Sequence, residues 1–395
     1  MELYIFNPDA DMALANNTEN YMPPVAAKQM ATDLAMLPMW YAKPGGKVLA
    51  PSAYNADFLQ QMKQLFPLQV DLLTEPELAE ADATYSFQPW GWNLALRRRL
   101  LKTGLPENQL PSPEALDAYR TLAGRDTSIR LLQELGKMDG CCGEAFKVTS
   151  LKECREYASR NPRCLFKSPW SGSGKGLWWC YNGLDEAAQN WCRKVLKELG
   201  MLVVSPIYDV CQDFAMEFCS DGKGKVTFVG YSLFETSRKG AYMGNTLAPT
   251  SEIRRIIERF FHRGFLPQVR TRLAKVLAAA YGHSYTGYLG VDMMVCREAT
   301  SGKYLLHPCV EVNLRMNMGV VSHLFSKRYL VAGRWAAFSV EYYLTNEALR
   351  EAVDCYSKEN PLEVVDGKLR NGFLPLTPIT PNSHYLAYVD TDRFQ

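Results

Sequence analysis

Short apolar runs alternate with amphipathic stretches through the first 110 residues. The stretches between the runs place apolar residues at helical spacing, and the runs have the length of buried strands: LYIFNP, KVLAPS and QVDLLT. Strand–helix–strand alternation is typical of a parallel sheet covered by helices. We therefore predict a small α/β domain over residues 1–115.

The pattern changes after this point. Residues 116–200 combine two amphipathic helices with short strands on either side of a glycine-rich loop, which indicates a small α+β lobe. Residues 201–395 contain longer strands, two helices and a further strand pair, which indicates a larger antiparallel lobe. Near the end we expect a helix over residues 334–343, followed by the proline-rich tail LPLTPITPN.

Composition excludes several classes of protein. Hydrophobic residues make up 47% and charged residues 22%, and the net charge is +2, so no basic excess suggests a nucleic-acid partner. No apolar run reaches the roughly 18 residues of a membrane span, and the stretch YLVAGRWAAFSVEYYL is interrupted by Arg334 and Glu341. No leader pattern precedes ELYIFNP, and the eleven cysteines include no Cys-x-x-Cys pair. We expect reduced cysteines and a cytoplasmic protein.

The stretch FKSPWSGSGKGLWW, residues 166–179, raises the question of phosphate binding. It does not fit a Walker loop, because Pro169 stands where the first glycine belongs and a strand sequence follows. It does not fit a dinucleotide-binding loop, because Leu177 takes the place of the third glycine. A hairpin loop whose backbone N–H groups cover a triphosphate fits better. An exposed Gly-Ser hairpin that binds nothing remains the alternative.

Two later stretches supply magnesium-type ligands. GYLGVDMMV contains Asp292, and HPCVEVNLR contains Glu311, Asn313 and Arg315. Residues two apart on a strand share a face, and a two-residue turn at Ser301-Gly302 would put Asp292 opposite Glu311. Carboxylate and amide oxygens are ligands that Mg²⁺ prefers. The alternative is a buried salt-bridge cluster around Arg315.

LFKSPWSGSGKGLWW, GVD and E-x-N-x-R together resemble motifs of the ATP-grasp superfamily. The resemblance covers residues 115–325 and implies an ATP-grasp fold, in which two α+β lobes grip ATP after a Rossmann-like α/β domain. It implies two Mg²⁺ ions, replaceable by Mn²⁺, on Asp292, Glu311 and Asn313. The residues that it implies for binding ATP are Arg125, Lys167, Ser171, Gly172, Ser173, Gly174 and Lys175, with Val204 and Ile207 at the adenine and Asp213 at the ribose. Glu217 is the alternative ribose partner, and Ser205 departs from the glutamate common in the family.

The resemblance also implies an activity. Such enzymes mostly use ATP to join a carboxylate to an amine or another nucleophile through an acyl phosphate, here with Arg315 and Lys167 as catalytic residues. Arg238, in the glycine-containing segment FETSRKGAYMGNT, is the third predicted catalytic residue, and a solvated hairpin tip is the alternative for that segment. The expected partners are small-molecule substrates. A kinase that uses the same site and a nucleotide-binding module without chemistry remain open, and the oligomeric state is unassigned. The loops NPDADMALANN and QPWGWN are either substrate contacts at strand ends or ordinary turns.

Overall fold

The computed structural model describes residues 1–80, 84–172, 174, 176–237 and 242–394. The strands are β1 (Glu2–Ile5), β2 (Gly46–Leu49), β3 (Val70–Leu73), β4 (Ser86–Pro89), β5 (Phe146–Val148), β6 (Cys164–Lys167), β7 (Leu177–Cys180), β8 (Leu202–Pro206), β9 (Val210–Asp221), β10 (Val226–Thr236), β11 (Tyr242–Leu247), β12 (Thr286–Arg297), β13 (Tyr304–Asn313), β14 (Ala336–Tyr342), β15 (Glu363–Val365), β16 (Lys368–Asn371), β17 (Phe373–Pro375) and β18 (Tyr385–Asp390).

The helices connect and cover these strands. They are α1 (Ala10–Asn16), α2 (Val25–Asp33), α3 (Asn55–Leu65), α4 (Glu75–Glu80), α5 (Leu94–Leu101), α6 (Pro113–Leu122), α7 (Arg125–Leu135), α8 (Leu151–Arg160), α9 (Glu186–Leu199), α10 (Thr250–Glu258), α11 (Phe265–Tyr281), α12 (Met318–Tyr329) and α13 (Asn346–Glu359). In the described part of the chain, no helix is long and apolar enough to cross a membrane.

The N-terminal sheet is parallel, with strand order β3-β2-β1-β4. Its two faces enter different cores. Leu3 and Ile5 pack in one apolar cluster, whereas Tyr4 and Phe6 point into another that also contains residues of α12. A parallel sheet that is covered on both faces needs apolar residues at every strand position, which explains the continuous apolar runs of the sequence.

The second sheet is antiparallel, with order β5-β8-β6-β7. Helix α8 begins with a capping box, in which the Ser150 side chain accepts from the Glu153 N–H and the Glu153 carboxylate accepts from the Ser150 N–H. Strands β6 and β7 pair directly, with Lys167 opposite Leu177, so the glycine-rich loop is the hairpin connection that the sequence predicts. The sheet extends past residue 200, because β8 pairs with both β5 and β6.

The largest sheet has the order β13-β12-β9-β10-β11-β14-β18-β17. Its last strands come from the C-terminal part of the chain, which thereby completes the large lobe. The helix predicted over residues 334–343 was wrong, since β14 occupies this stretch and pairs with β11 and β18. A short apolar run does not distinguish helix from strand by its period alone, and here the pairing partners lie far away in sequence.

The β12–β13 hairpin places Asp292 opposite Glu311, as predicted. The turn contains Ser301-Gly302 but is longer than the two-residue turn considered from the sequence. Residues 298–303 form the turn, the strands first pair Arg297 with Tyr304, and the register then shifts between Asp292 and Met294. The shift falls opposite Pro308, which has no N–H to donate to the ladder. Two deviations from the simple hairpin therefore cancel at the carboxylates.

Candidate nucleotide and metal site

Two carboxylates and an amide meet on one face of the large sheet. Asp292 and Glu311 are cross-strand partners, and Asn313 follows Glu311 by two positions on the same face. The Asn313 Nδ2 group donates a 3.0 Å hydrogen bond to Asp292 Oδ2. Burial and the neighbouring Glu311 raise the pKa of Asp292 to about 7. The two carboxylates are therefore close enough to repel each other when no cation lies between them.

Arg125 connects this face to the glycine-rich hairpin. It begins α7 and is buried, and its Nη1 donates to the Ser168 carbonyl and to Ser171 Oγ, both at 2.6 Å. Its Nη2 donates to Glu311 Oε2 at 2.7 Å. The Arg125 Nε is buried without a hydrogen-bond partner among the described residues. A guanidinium with an unused donor at this point is prepared to bind a further anion.

Lys167 lies at the end of β6, immediately before the hairpin loop. Its side chain is buried, and burial together with the charge of Arg125 lowers its pKa to about 8. Within the described part of the chain its ammonium group has no ion pair or hydrogen bond, although Asp292 and Glu311 are close enough to favour its charge. A buried cation without a partner is costly, so this position favours an anionic ligand.

The N-terminal domain reaches the same place through Asp11. The Asp11 carboxylate accepts from Arg315 Nε at 2.9 Å and from Arg315 Nη2 at 2.7 Å, through different oxygens. Arg315 Nη2 also donates to Asn313 Oδ1 at 3.0 Å. Burial opposes the charge of Arg315, but Asp11 outweighs it and raises the pKa of the guanidinium. The hairpin lies against this pair, because a Cβ added to Gly172 would be 2.8 Å from Asp11 Oδ2.

The loops NPDADMALANN and QPWGWN meet at the carboxyl ends of β1 and β4. Asn7 Nδ2 donates to the Gly91 carbonyl at 2.7 Å, and the Met316 N–H donates to the Trp90 carbonyl at 3.0 Å. They hold the connection that follows β13 and so fix the position of Arg315. Ligands often bind at such strand ends in open α/β sheets.

The cavity between these groups is small. It encloses about 10 Å³. Its lining comes mainly from α1, the glycine-rich hairpin and the end of β13, and includes Asp11, Trp170, Ser171, Glu311 and Arg315. A larger hollow of about 410 Å³ lies on the surface of α11. Its five lining residues all belong to this one helix and do not surround a common point. We therefore assign the site to the small cavity, which must widen to admit a nucleotide.

Glu217 extends the polar face toward α12. It is 1% exposed, and its Oε2 accepts from Asn317 Nδ2 at 3.0 Å. Burial raises the pKa of Glu217 to about 8, and the charge of Asp292 contributes in the same direction. A Cβ added to Gly290 would lie 2.5 Å from Glu217 Oε2, so the carboxyl occupies space that a glycine leaves free. Sequence analysis considered Glu217 only as a ribose partner.

The predicted adenine and ribose contacts lie at the connection between β8 and β9. Val204 is buried inside the small lobe, and Ser205 is buried beside it, whereas Ile207 is half-buried and donates its N–H to the Arg163 carbonyl. Asp213 accepts from Thr236 Oγ1 at 2.9 Å, and burial raises the pKa of Asp213. The structure thus brings Asp213 onto the face that carries Asp292, and leaves the Val204 side chain in the core.

Some contacts of the site were not predicted. Asp11 lies in the loop NPDADMALANN, which was considered for substrate contacts, but nothing in the sequence indicated its contact with Arg315, 304 positions away. His307 lies edge-on to Tyr208 at 5.2 Å, and burial and Lys167 lower its pKa to about 3. Its Nδ1 has no hydrogen-bond partner among the described residues.

Ser173, Lys175 and Arg238, which the sequence predicts to contribute to the site, lie outside the described residues.

The donor set fits Mg²⁺ only when a nucleotide completes it. In the described part of the chain, no cluster of three or more His, Cys, Asp or Glu side chains could hold a metal. Asp292, Glu311 and Asn313 offer two carboxylates and one amide, and Mg²⁺ in nucleotide sites commonly takes one or two carboxylates together with phosphate oxygens. The residues therefore fit magnesium bound with a polyphosphate better than magnesium alone.

Comparison with solved structures identifies the fold. The biotin carboxylase domain of 2-oxoglutarate carboxylase from Hydrogenobacter thermophilus, solved with MgADP, ADP and bicarbonate, aligns with a TM-score of 0.51 at 11% identity, over 98% of this chain and 85% of that chain. The chain has the ATP-grasp fold. This confirms the fold predicted from the glycine-rich hairpin and the E-x-N-x-R stretch.

N5-carboxyaminoimidazole ribonucleotide synthetases are further structures with which the chain aligns. The enzyme from Staphylococcus aureus gives a TM-score of 0.48 at 11% identity, over 100% of this chain and 94% of that chain. The enzyme from Thermus thermophilus gives a TM-score of 0.48 at 14% identity, over 98% of this chain and 92% of that chain. No known family model matches the chain. No curated protein matches it by sequence.

Proposed function

We propose that the protein is an ATP-dependent ligase that joins a carboxylate substrate to an amine or another nucleophile. The carboxylate oxygen attacks the γ-phosphorus of ATP, the bond to the β-phosphate oxygen breaks, and ADP and an acyl phosphate form. The nucleophile then attacks the acyl carbon and expels phosphate, while its proton passes to solvent. The observation that carries this proposal is the convergence of Asp292, Glu311 and Asn313 on one sheet face with Arg125, Lys167 and Arg315 around them.

Each cation of the site has a role in this scheme. Lys167, buried at the base of the hairpin, binds the phosphate oxygens, and Arg125 adds its free Nε donor. Arg315 stabilises the charge on the transferring phosphoryl group. Phosphoryl transfer depends mainly on such positioning and charge stabilisation, with little covalent chemistry by the protein.

Asp292, Glu311 and Asn313 are the residues that would hold Mg²⁺. When bound, two such ions, or Mn²⁺ in their place, supply positive charge to the β- and γ-phosphate oxygens. The chain's own task is to keep the two carboxylates opposed across β12 and β13 and to orient Asn313 through its hydrogen bond to Asp292. Asp213 serves the ribose in this proposal, and the backbone near Ile207 serves the adenine.

The glycine-rich hairpin excludes water from the reaction. Ser171 and Gly172 pack against Arg125 and Asp11, so the described part of the loop lies over the cavity. An acyl phosphate hydrolyses readily, and a closed loop protects it until the nucleophile attacks. The flanking positions Ser173 and Lys175 and the later Arg238 are proposed to contribute further phosphate and substrate contacts.

The substrates are proposed to be small molecules that enter beside the N-terminal domain. The structurally similar carboxylase domain was solved with MgADP and bicarbonate, which is a small anion beside a nucleotide. The position of Asp11 and of the loops at the ends of β1 and β4 supports the same arrangement. A kinase that transfers phosphate to a hydroxyl group with the same residues is the second candidate.

Product analysis separates the two candidates. The protein is incubated with Mg·ATP and pooled carboxylate and amine metabolites, and ADP and free phosphate are measured together. A ligase releases ADP and phosphate in equal amounts that depend on the added acceptors, and Asp292→Asn removes this activity. ADP without matching phosphate would indicate a kinase and contradict the ligase proposal.

A further inference from the structure

The pair between Asp11 and Arg315 has an arrangement usually found between arginine and an anionic ligand. Both Asp11 oxygens accept from the guanidinium edge formed by Nε and Nη2, at 2.9 Å and 2.7 Å. This bidentate geometry is the one with which arginine binds carboxylates and phosphates. Arg315 also donates hydrogen bonds to Asn313 Oδ1 and to the Met316 carbonyl. The ligand-binding edge of Arg315 is therefore occupied by a carboxylate of the protein itself.

The location of the pair is at the reaction centre, not at the rim. Asn313, one of the proposed magnesium ligands, touches Arg315 directly. Gly172 of the hairpin lies over the pair, since an added Cβ would be 2.8 Å from Asp11 Oδ2 and 3.7 Å from Arg315 Nη2. The side chains of Arg315 and Asp11 are only 14% and 20% exposed. The pair is therefore largely buried, between a proposed magnesium ligand and the hairpin.

A purely structural ion pair is the simpler alternative, but the site argues against it. Removing two charges from water costs free energy that their attraction only partly recovers. Here both partners of the pair line the small cavity of about 10 Å³ to which the site is assigned. Glu311 also lines this cavity, and it is paired with Arg125. The ligand-free site thus neutralises its catalytic charges internally.

We propose that Asp11 couples ATP cleavage to the presence of the carboxylate substrate. Asp11 holds Arg315 away from the γ-phosphate until the substrate carboxylate takes its place on the guanidinium edge. This inference rests on the proposed function and adds Asp11, on the N-terminal domain, as a positioning residue that acts through Arg315. Its consequence is that Mg·ATP alone is hydrolysed slowly: water attack on the γ-phosphorus, with release of ADP, phosphate and a proton, lacks the support of Arg315.

The test measures hydrolysis of Mg·ATP with no other substrate. Asp11→Asn removes the charge and keeps the shape, and it should raise kcat for this hydrolysis at least about tenfold because freed arginines of this kind are worth large rate factors. KM for ATP should change less than about threefold, since Asp11 does not contact the nucleotide in the proposal. Asp11→Glu keeps the carboxylate and should stay close to the wild type.

Asp71→Asn is the matched control for Asp11→Asn. Asp71→Asn removes another ion-paired aspartate of the N-terminal domain, bound to Lys63 at 3.0 Å and 72% exposed, and it should leave hydrolysis unchanged. If Asp11→Asn binds Mg·ATP normally and unfolds at the wild-type temperature but hydrolyses ATP no faster, the coupling role is wrong while the proposed function stands. If neither protein binds Mg·ATP, the proposed function fails and this inference fails with it.

Discussion

Arg125 Nη2 lies 2.7 Å from Glu311 Oε2, joining the first turn of α7 to strand β13 across 186 positions of sequence. The same guanidinium contacts Ser168 and Ser171, which follow β6 in the first part of the hairpin loop. One side chain thus connects the glycine-rich hairpin to a proposed magnesium ligand. If Glu311 held Mg²⁺ as proposed, Arg125 would be available to bind a phosphate.

Arg125→Lys tests this linkage. Lysine keeps the charge but cannot make the forked contacts to Ser168, Ser171 and Glu311, so we expect the Kd for Mg·ATP to rise about tenfold. Arg130→Lys, on the exposed side of the same helix, is the matched control. Titration of both variants with a non-hydrolysable ATP analogue gives the two Kd values. Equal affinity for the two variants would contradict the role given to Arg125.

Asp292→Asn should lower the Mg·ATP-dependent turnover at least about 100-fold, because it removes the charge of a proposed metal ligand. The amide keeps the size of the side chain, so the fold should persist. Asp354→Asn, an exposed acid on α13, is the control and should be neutral. Turnover is measured by ADP release over a range of Mg²⁺ concentrations. Full activity of Asp292→Asn at any Mg²⁺ concentration would remove Asp292 from the metal site.

Glu217→Gln should change how stability depends on pH. Burial raises the pKa of Glu217 to about 8, so between its unfolded value near 4.5 and pH 8 the folded protein binds a proton that the unfolded chain has lost. The contribution of Glu217 to stability therefore falls as the pH rises through this window. The glutamine variant, which does not titrate, should gain on the order of 3 kcal/mol relative to wild type between pH 5 and pH 8.

Chemical denaturation of wild type and Glu217→Gln at pH 5, 6.5 and 8 provides the measurement, since other titrating groups cancel in the difference. Glu144→Gln, an acid in a loop of the small lobe, is the control and should show no pH-dependent difference of this size. A constant difference between wild type and Glu217→Gln at all three pH values would mean that Glu217 is not held protonated by its surroundings.

Gly290→Ala tests whether Glu217 needs the neighbouring glycine. An added Cβ would lie 2.5 Å from both Glu217 Oε2 and Asn317 Nδ2, so we expect a loss of about 2 kcal/mol in unfolding free energy. In a Glu217→Ala background one of the two close atoms is gone and Asn317 Nδ2 loses its carboxylate partner, so the same change should cost less. A double-mutant cycle measures this coupling, and additive effects of the two substitutions would contradict the contact.

The sequence predicted those parts of the site that depend on local pattern. The hairpin between β6 and β7 follows from a glycine-rich stretch between two apolar runs, and the shared face of Glu311 and Asn313 follows from their spacing. The opposition of Asp292 and Glu311 was also predicted, although the turn that was supposed to produce it is longer and the register shifts opposite Pro308. The face was correct because the two deviations together preserve the alternation of side chains.

What could not be predicted depends on contacts between distant segments. Asp11 lies in α1, beside the N-terminal sheet, and Arg315 follows β13 of the largest sheet. The sequence around either residue does not predict that the two side chains are in contact. Strand β14 was mistaken for a helix because its identity is decided by pairing with β11 and β18, not by its own period. Glu217 carried no local signal for burial, since its space is provided by Gly290 on the adjacent strand and Gly319 on α12.

Calorimetric titration with a non-hydrolysable ATP analogue, with and without Mg²⁺, tests whether this site binds Mg·ATP. We expect the wild type to bind the analogue more tightly when Mg²⁺ is present. The Asp292→Asn variant should still bind the analogue but lose the effect of Mg²⁺. Binding that is indifferent to Mg²⁺ in both proteins, or no binding by the wild type, would contradict the assignment of this site to Mg·ATP.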